Sequence, residues 1–88
     1  MALVEIKTIE NCPFCAAARD LLSAKGVEFV EANLTGMSDS DRRSFLEQLC
    51  GRTTAPQIWI DAKHIGGFTD LDALDRSGDL DRLLSLAS

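Results

Sequence analysis

Several classes of protein are excluded by what this chain has little of. No apolar run approaches the roughly 20 residues that a membrane-spanning helix requires. The opening MALVEIKTIE interleaves charged and apolar side chains, unlike a signal or transit peptide, so the expected location is the cytoplasm. Basic residues are scarce, nine Lys and Arg against fourteen Asp and Glu for a net charge of −5, which runs against binding a nucleic-acid backbone. Three cysteines are too few, and odd in number, for a secreted disulfide framework, and in a reducing compartment they point to catalysis or metal binding. There is no internal repeat, low-complexity tract or linker. With 88 residues, 45% of them hydrophobic and 26% charged, the expectation is one domain over residues 1–88. Asp70, Asp72, Asp75, Asp79 and Asp81 gather much of the acidity near the end, leaving the middle closer to neutral and open to an anionic ligand.

Periodicity supplies the elements. Residues 3–9 alternate as a strand does, with Val4, Ile6 and Thr8 on one face and Lys7 on the other. Asn11 and Cys12 offer cap chemistry, Pro13 suits a first helical position, and the helix then predicted runs to Lys25 before Gly26 ends it. Residues 27–32 predict a second strand, parallel to the first through a right-handed crossover. Ser38 caps a second helix with Phe45, Leu46 and Leu49 as its apolar stripe, ending at Gly51. Gln57–Asp61 reads as a buried strand, turned at residues 61–63 so that His64 and Ile65 return as a hairpin partner. Two short helices, 70–77 and 79–86, divide at Gly78 and direct Leu71, Leu74, Leu80, Leu83 and Leu84 inward. The order predicts an α/β domain with a mixed sheet covered by helices.

Chemistry concentrates in Cys12-Pro13-Phe14-Cys15. In a first helical turn, positions i and i+3 share a face, close enough for a disulfide that is readily made and broken. Free N–H groups and the helix dipole favour negative charge at Cys12, the candidate nucleophile, with the amides of Phe14 and Cys15 expected to face its sulfur. Cys15, one turn deeper, is the resolving thiol. A zinc site would need two more ligands, and Cys50 and His64 stand at no zinc spacing, so no metal is assigned. A cluster shared between two chains through Cys12 and a thiol cofactor is a separate alternative.

Two further segments bear on this pair. Thr53-Thr54-Ala55-Pro56 precedes a strand, where proline is either cis, turning the Ala55 backbone outward to pair with an extended peptide, or an ordinary trans residue opening the strand. Gly66-Gly67-Phe68-Thr69-Asp70 makes a tight turn into a helix start, suited to a carboxylate, with Asp70 able to hold an ammonium group; the plainer reading is a turn and an N-cap. Trp59 reads as core, and Arg19, Arg42 and Arg52 as solvated. Cys50 reads as a partly buried small residue, and His64 as a hairpin residue.

Taken together, CPFC after the first strand, GRTTAPQIWID and HIGGFTDL resemble, over essentially the whole chain, the small bacterial dithiol glutaredoxins. The resemblance implies a thioredoxin fold with a four-stranded mixed sheet flanked by helices, and a glutathione site beside the redox pair. It makes Cys12 the nucleophile and Cys15 the second thiol. Phe14 stands where the family often has tyrosine. Thr54, Ala55 and Pro56 match the threonine, the backbone-pairing residue and the cis-proline. Gly67, Thr69 and Asp70 match the turn that holds the γ-glutamyl end, and Arg43 matches a position near the glycine carboxylate. One departure is plain: Ile9 occupies the place of a usual lysine, and Lys7 on the same strand face is the nearest replacement for its charge.

The implied activity is reduction of protein disulfides and glutathione mixed disulfides, with glutathione as reductant and no obligatory metal. The implied partners are glutathione, disulfide-containing or glutathionylated proteins and ribonucleotide reductase, and the implied state is a monomer. Two alternatives stand beside it: a redoxin serving ribonucleotide reductase and reduced by thioredoxin reductase, and a glutathione-linked iron–sulfur carrier.

Overall fold

A computed structural model of the chain describes residues 2–85. One four-stranded mixed sheet, in the order β2-β1-β3-β4, is formed by β1 (Val4–Thr8), β2 (Val30–Asn33), β3 (Gln57–Ile60) and β4 (Lys63–Gly66). β1 runs parallel to β2 and antiparallel to β3, and β3 pairs antiparallel with β4. The helices are α1 (Pro13–Ala24), α2 (Asp39–Cys50), α3 (Phe68–Ser77) and α4 (Asp79–Leu83).

The alternation of β1 decides the layers. Val4, Ile6 and Thr8 are buried, and Ile58 and Ile60 lie opposite Ile6 and Val4 on the same face. Ala18 and Leu22 of α1, Leu71 of α3 and Leu80 of α4 close over that face, with Leu84 beside them. Leu74 and Leu83, both expected to point inward, are partly buried against the same core.

The other face is thinner. Of the predicted α2 stripe only Leu46 is buried, while Phe45 and Leu49 remain 38% and 47% exposed. Phe45 and Leu49 border a shallow groove with Glu5, Lys7 and Trp59, the outward-facing positions of β1 and β3. Trp59 therefore belongs to this half-covered face and not to the core, because Ile58 and Ile60 on either side take the inward positions.

Element boundaries differ from expectation for local reasons. β2 begins at Val30 because the Val27 N–H is engaged with Leu22 O at the end of α1, and Val27 and Phe29 pack against the core before the ladder starts. α3 begins two residues early, at Phe68, since Gly67 takes an extended cap conformation and the Asp70 carboxylate accepts the Gly67 N–H. α4 ends at Leu83 with Leu84 as its cap; Leu86, included in the expected helix, lies outside the described residues. The hairpin turn is made by Asp61 and Ala62, both at positive φ, as a two-residue turn that suits the twist of β3 and β4. No helix among the described residues is long and apolar enough to cross a membrane.

Candidate active site

Sheet register explains why distant segments meet. Lys7, near the end of β1, lies opposite Gln57, the first residue of β3, and Gly66, the last of β4, lies opposite Ile58. The loop leaving β1, the loop entering β3 and the loop leaving β4 therefore emerge at one edge of the sheet. These loops carry Cys12, Thr54–Pro56 and Gly67–Asp70.

Asn11 at φ 54° turns the chain out of β1, and Cys12 then caps α1 in an extended conformation with Pro13 in the first turn. The Cys15 N–H donates to the Cys12 sulfur at 3.2 Å; of the two amides expected to face that sulfur, this is the one that makes the bond. The Cys12 thiol in turn donates to the Ala55 carbonyl at 3.6 Å, which ties the redox turn to the loop before β3. Cys12 is half-buried, and Cys15 is fully buried beneath it. Burial, followed by the adjacent Cys12 side chain, pushes the Cys15 thiol up to about 12, so at neutral pH it is a protonated thiol. The two cysteines are thus inequivalent: one accessible sulfur held by an amide donor, and one shielded sulfur in reserve.

The Ala55–Pro56 peptide bond is cis. Beside it lies a groove of about 300 Å³ that collects Phe14, Thr54, Ala55 and Pro56. Gly67, Thr69 and Asp70 bring the start of α3 into the same groove, so these seven sequence-predicted residues are neighbours. Lys7 and Arg43 are placed elsewhere. The Lys7 ammonium sits 5.5 Å over the Trp59 ring on the α2 face of the sheet, and Arg43 lies among Asp39, Ser40, Ser44 and Glu47 along α2 itself. Ile9 borders a separate cleft on the far side of Cys12, with Arg19 and Asn33.

Two residues that the sequence reading did not assign to the site complete the groove. Phe68 stacks on Phe14 with ring centroids 6.3 Å apart. Arg52, expected to be merely solvated, pairs with Asp70 at 2.8 Å. The Arg52 guanidinium, and then the Gly67 N–H, hold the Asp70 carboxyl below the usual carboxylate range, so it is ionised at neutral pH. Gly66 makes this approach feasible: at φ 123° it has no side chain, and a Cβ there would collide with the Asp70 carboxylate. Both partners are 40–50% exposed, at 48% for Arg52 and 41% for Asp70, and so remain accessible to a ligand. Arg52 could have been noticed from its place inside GRTTAP. Its pairing, across 18 positions, had no local signal.

Arg19 is also more than a solvated charge. It forms a forked pair with Glu31 of β2, and Glu31 accepts a further hydrogen bond of 2.6 Å from the buried Thr8 hydroxyl. Arg19, followed by Thr8, keeps the Glu31 carboxyl below its ordinary value. The network ties α1, and with it the Cys12 turn, to the sheet edge. Among the described residues, no group of three His, Cys, Asp or Glu side chains converges as a metal site.

These features have counterparts in known proteins. Residues 4–65 match the family model for glutaredoxin. The chain is 54% identical over 84 residues to "Glutaredoxin 3" of Escherichia coli strain K12, covering 96% of this chain and 99% of that one. It is 47% identical to a Pseudomonas aeruginosa glutaredoxin, covering 97% and 99%. Among solved structures, a buckwheat glutaredoxin in complex with glutathione superposes with a TM-score of 0.86 at 27% identity, over 96% of this chain and 77% of that chain. A Brucella melitensis glutaredoxin superposes at 0.81 and 41% identity, over 100% and 94%. With its thioredoxin fold and its paired cysteines at a helix start, the chain belongs to the glutaredoxin family of thiol–disulfide oxidoreductases.

Proposed function

We propose that this chain is a glutathione-dependent oxidoreductase that reduces glutathione mixed disulfides and protein disulfides. The observation that carries the reading is the adjacency of the Cys12 sulfur to a groove holding the Arg52–Asp70 pair. The γ-glutamyl end of glutathione carries a carboxylate and an ammonium group, and a cation beside an anion is its electrostatic complement. Thr69 and Gly67 supply the helix-start backbone beside that end. Ala55 offers an extended backbone, and Phe14 and Pro56 offer apolar surface. In this reading Arg52 supplies the cation at the γ-glutamyl end, a role distinct from those expected of Arg43 near the glycine carboxylate and of Lys7 in place of the charge absent at Ile9.

The Cys12 thiolate attacks the glutathionyl sulfur of a mixed disulfide. A Cys12–glutathione disulfide forms, and the other partner leaves as a thiolate that takes up a proton. A second glutathione, as its thiolate, attacks the bound glutathionyl sulfur, releasing glutathione disulfide and restoring the Cys12 thiolate. In the dithiol route Cys12 is first joined to a protein sulfur. Cys15 loses its proton and attacks Cys12, the protein thiolate departs, and two glutathiones reopen the Cys12–Cys15 bond. Burial, the largest cause of the elevated Cys15 value, opposes that deprotonation, while the contribution of the Cys12 side chain is removed once Cys12 is in a disulfide. The protein acts as a cytoplasmic monomer, with ribonucleotide reductase among its protein substrates.

The deciding experiment couples disulfide reduction to either glutathione plus glutathione reductase or thioredoxin reductase; turnover with the second alone overturns the proposal. Cys15→Ser then separates the routes. It retains reduction of a glutathione mixed disulfide and loses reduction of a protein disulfide. Loss of both contradicts the scheme.

A further inference from the structure

Gln57, the first residue of β3, is fully buried, yet all of its amide is engaged. Its Nε2 donates to the Thr54 carbonyl at 3.0 Å and to the Thr54 hydroxyl at 3.3 Å. Its Oε1 lies 2.8 Å from His64 Nε2. A carbonyl accepts and never donates, so the Gln57 nitrogen must face Thr54 and its oxygen must face the imidazole. That arrangement assigns the His64 proton to Nε2. The ring is itself held against Trp59, with centroids 5.1 Å apart.

This chain of bonds ends on the peptide that matters. The Thr54–Ala55 bond is trans, the cis bond being the next one along, so its C=O and N–H point in opposite directions. Drawing the Thr54 carbonyl inward onto Gln57 turns the Ala55 N–H outward, on a residue that borders the groove and whose carbonyl already accepts the Cys12 thiol. Without the Gln57 donor, the Thr54 carbonyl would lose the partner that draws it inward and this peptide plane would be free to rotate.

We propose that His64 and Gln57 are positioning residues: a relay from β4 through β3 that aims the Ala55 N–H at the main chain of the bound glutathionyl group. The inference rests on the glutathione reading above. Neither side chain is required to touch substrate. The imidazole orients the amide, and the amide orients the peptide.

The test compares His64→Leu, which removes the donor, with His64→Gln, whose terminal NH₂ reaches the same distance from the backbone as Nε2. Two quantities are read: KM and kcat for a glutathione–cysteine mixed disulfide, and the Ala55 amide resonance in ¹H–¹⁵N spectra. His64→Leu is expected to raise KM about fivefold, the equivalent of one hydrogen bond, with kcat within about twofold and the Ala55 resonance displaced. His64→Gln restores both. An unchanged KM, an unmoved Ala55 resonance, or equal losses in the two variants overturns the relay. If His64→Leu does not fold, Gln57→Glu, which presents a carboxylate to the Thr54 carbonyl, takes its place with the same expected outcomes. Should the unsubstituted protein show no glutathione-dependent turnover, the proposed function falls. The Ala55 resonance then decides the relay alone: displacement restored by His64→Gln supports it, and no displacement overturns it.

Discussion

Around Cys12 the geometry comes from immediate neighbours: Asn11 turns the chain, Pro13 starts the helix, and the Cys15 amide meets the sulfur three residues away. Around Asp70 it comes from segments that are remote in sequence. Arg52 arrives from 18 positions upstream, Gly66 clears the space, and the Ala55–Pro56 bend faces them from the loop before β3. In the proposed function the first region holds reactive chemistry and the second holds recognition. Chemistry can be local because a helix start brings its own amides. Recognition of a flexible, multiply charged peptide requires groups spaced across a groove, which one turn cannot supply.

Cys12→Ser tests the separation with the largest effect. Turnover in every disulfide assay falls to background, while a glutathione titration followed at the Thr69 and Asp70 amides still saturates. Loss of binding along with turnover breaks the division into two regions. Asp70→Asn acts from the other side: KM for a glutathione mixed disulfide rises about tenfold, about 1.4 kcal/mol, while iodoacetamide alkylates Cys12 at a rate within about twofold of the parent. A comparable fall in alkylation would mean that the groove and the redox turn are one unit.

A smaller effect concerns a long-range tether on the Cys12 side, the Arg19–Glu31–Thr8 network. Glu31 has a folded-state value lowered by Arg19 and then Thr8, so its contribution to stability is present above the ordinary carboxylate value, about 4.3, and lost as pH falls through the folded-state value. Glu31→Gln is therefore expected to cost about 1 kcal/mol at pH 7, a few degrees of melting temperature, with the difference from the parent shrinking toward pH 3. Thermal melts at the two pH values check the sign. A loss independent of pH would assign the effect to packing. The smallest expected effect is at Ile9, on the far side of Cys12 from the groove. Ile9→Lys lowers KM for glutathione substrates about threefold by adding a cation near the sulfur, a charge that Lys7, sitting over Trp59, does not bring there. An unchanged KM, measured in the coupled assay, rules out any use for that charge.

Much of the fold was legible because burial imposes a period. Val4, Ile6 and Thr8 alternate for one reason, the packing of a single sheet face, and Pro13 and Gly51 punctuate helices through backbone geometry alone. The α2 stripe misled because amphipathic spacing records which residues share a helix face and not how closely another layer covers it. Phe45 and Leu49 share their face with Leu46 but lie over the half-covered side of the sheet. Lys7 misled for a related reason. A long side chain has several destinations within reach, and the Trp59 ring was the one available.

By itself the sequence determined the strand–helix order and the helix-start turn that pairs Cys12 with Cys15, since these depend on interactions between residues a few positions apart. Only the tertiary structure decided which cation stands beside Asp70, how deeply Cys15 is shielded, and that His64 and Gln57 reach Thr54. Those contacts join residues whose proximity is created by sheet register, and no local propensity encodes them.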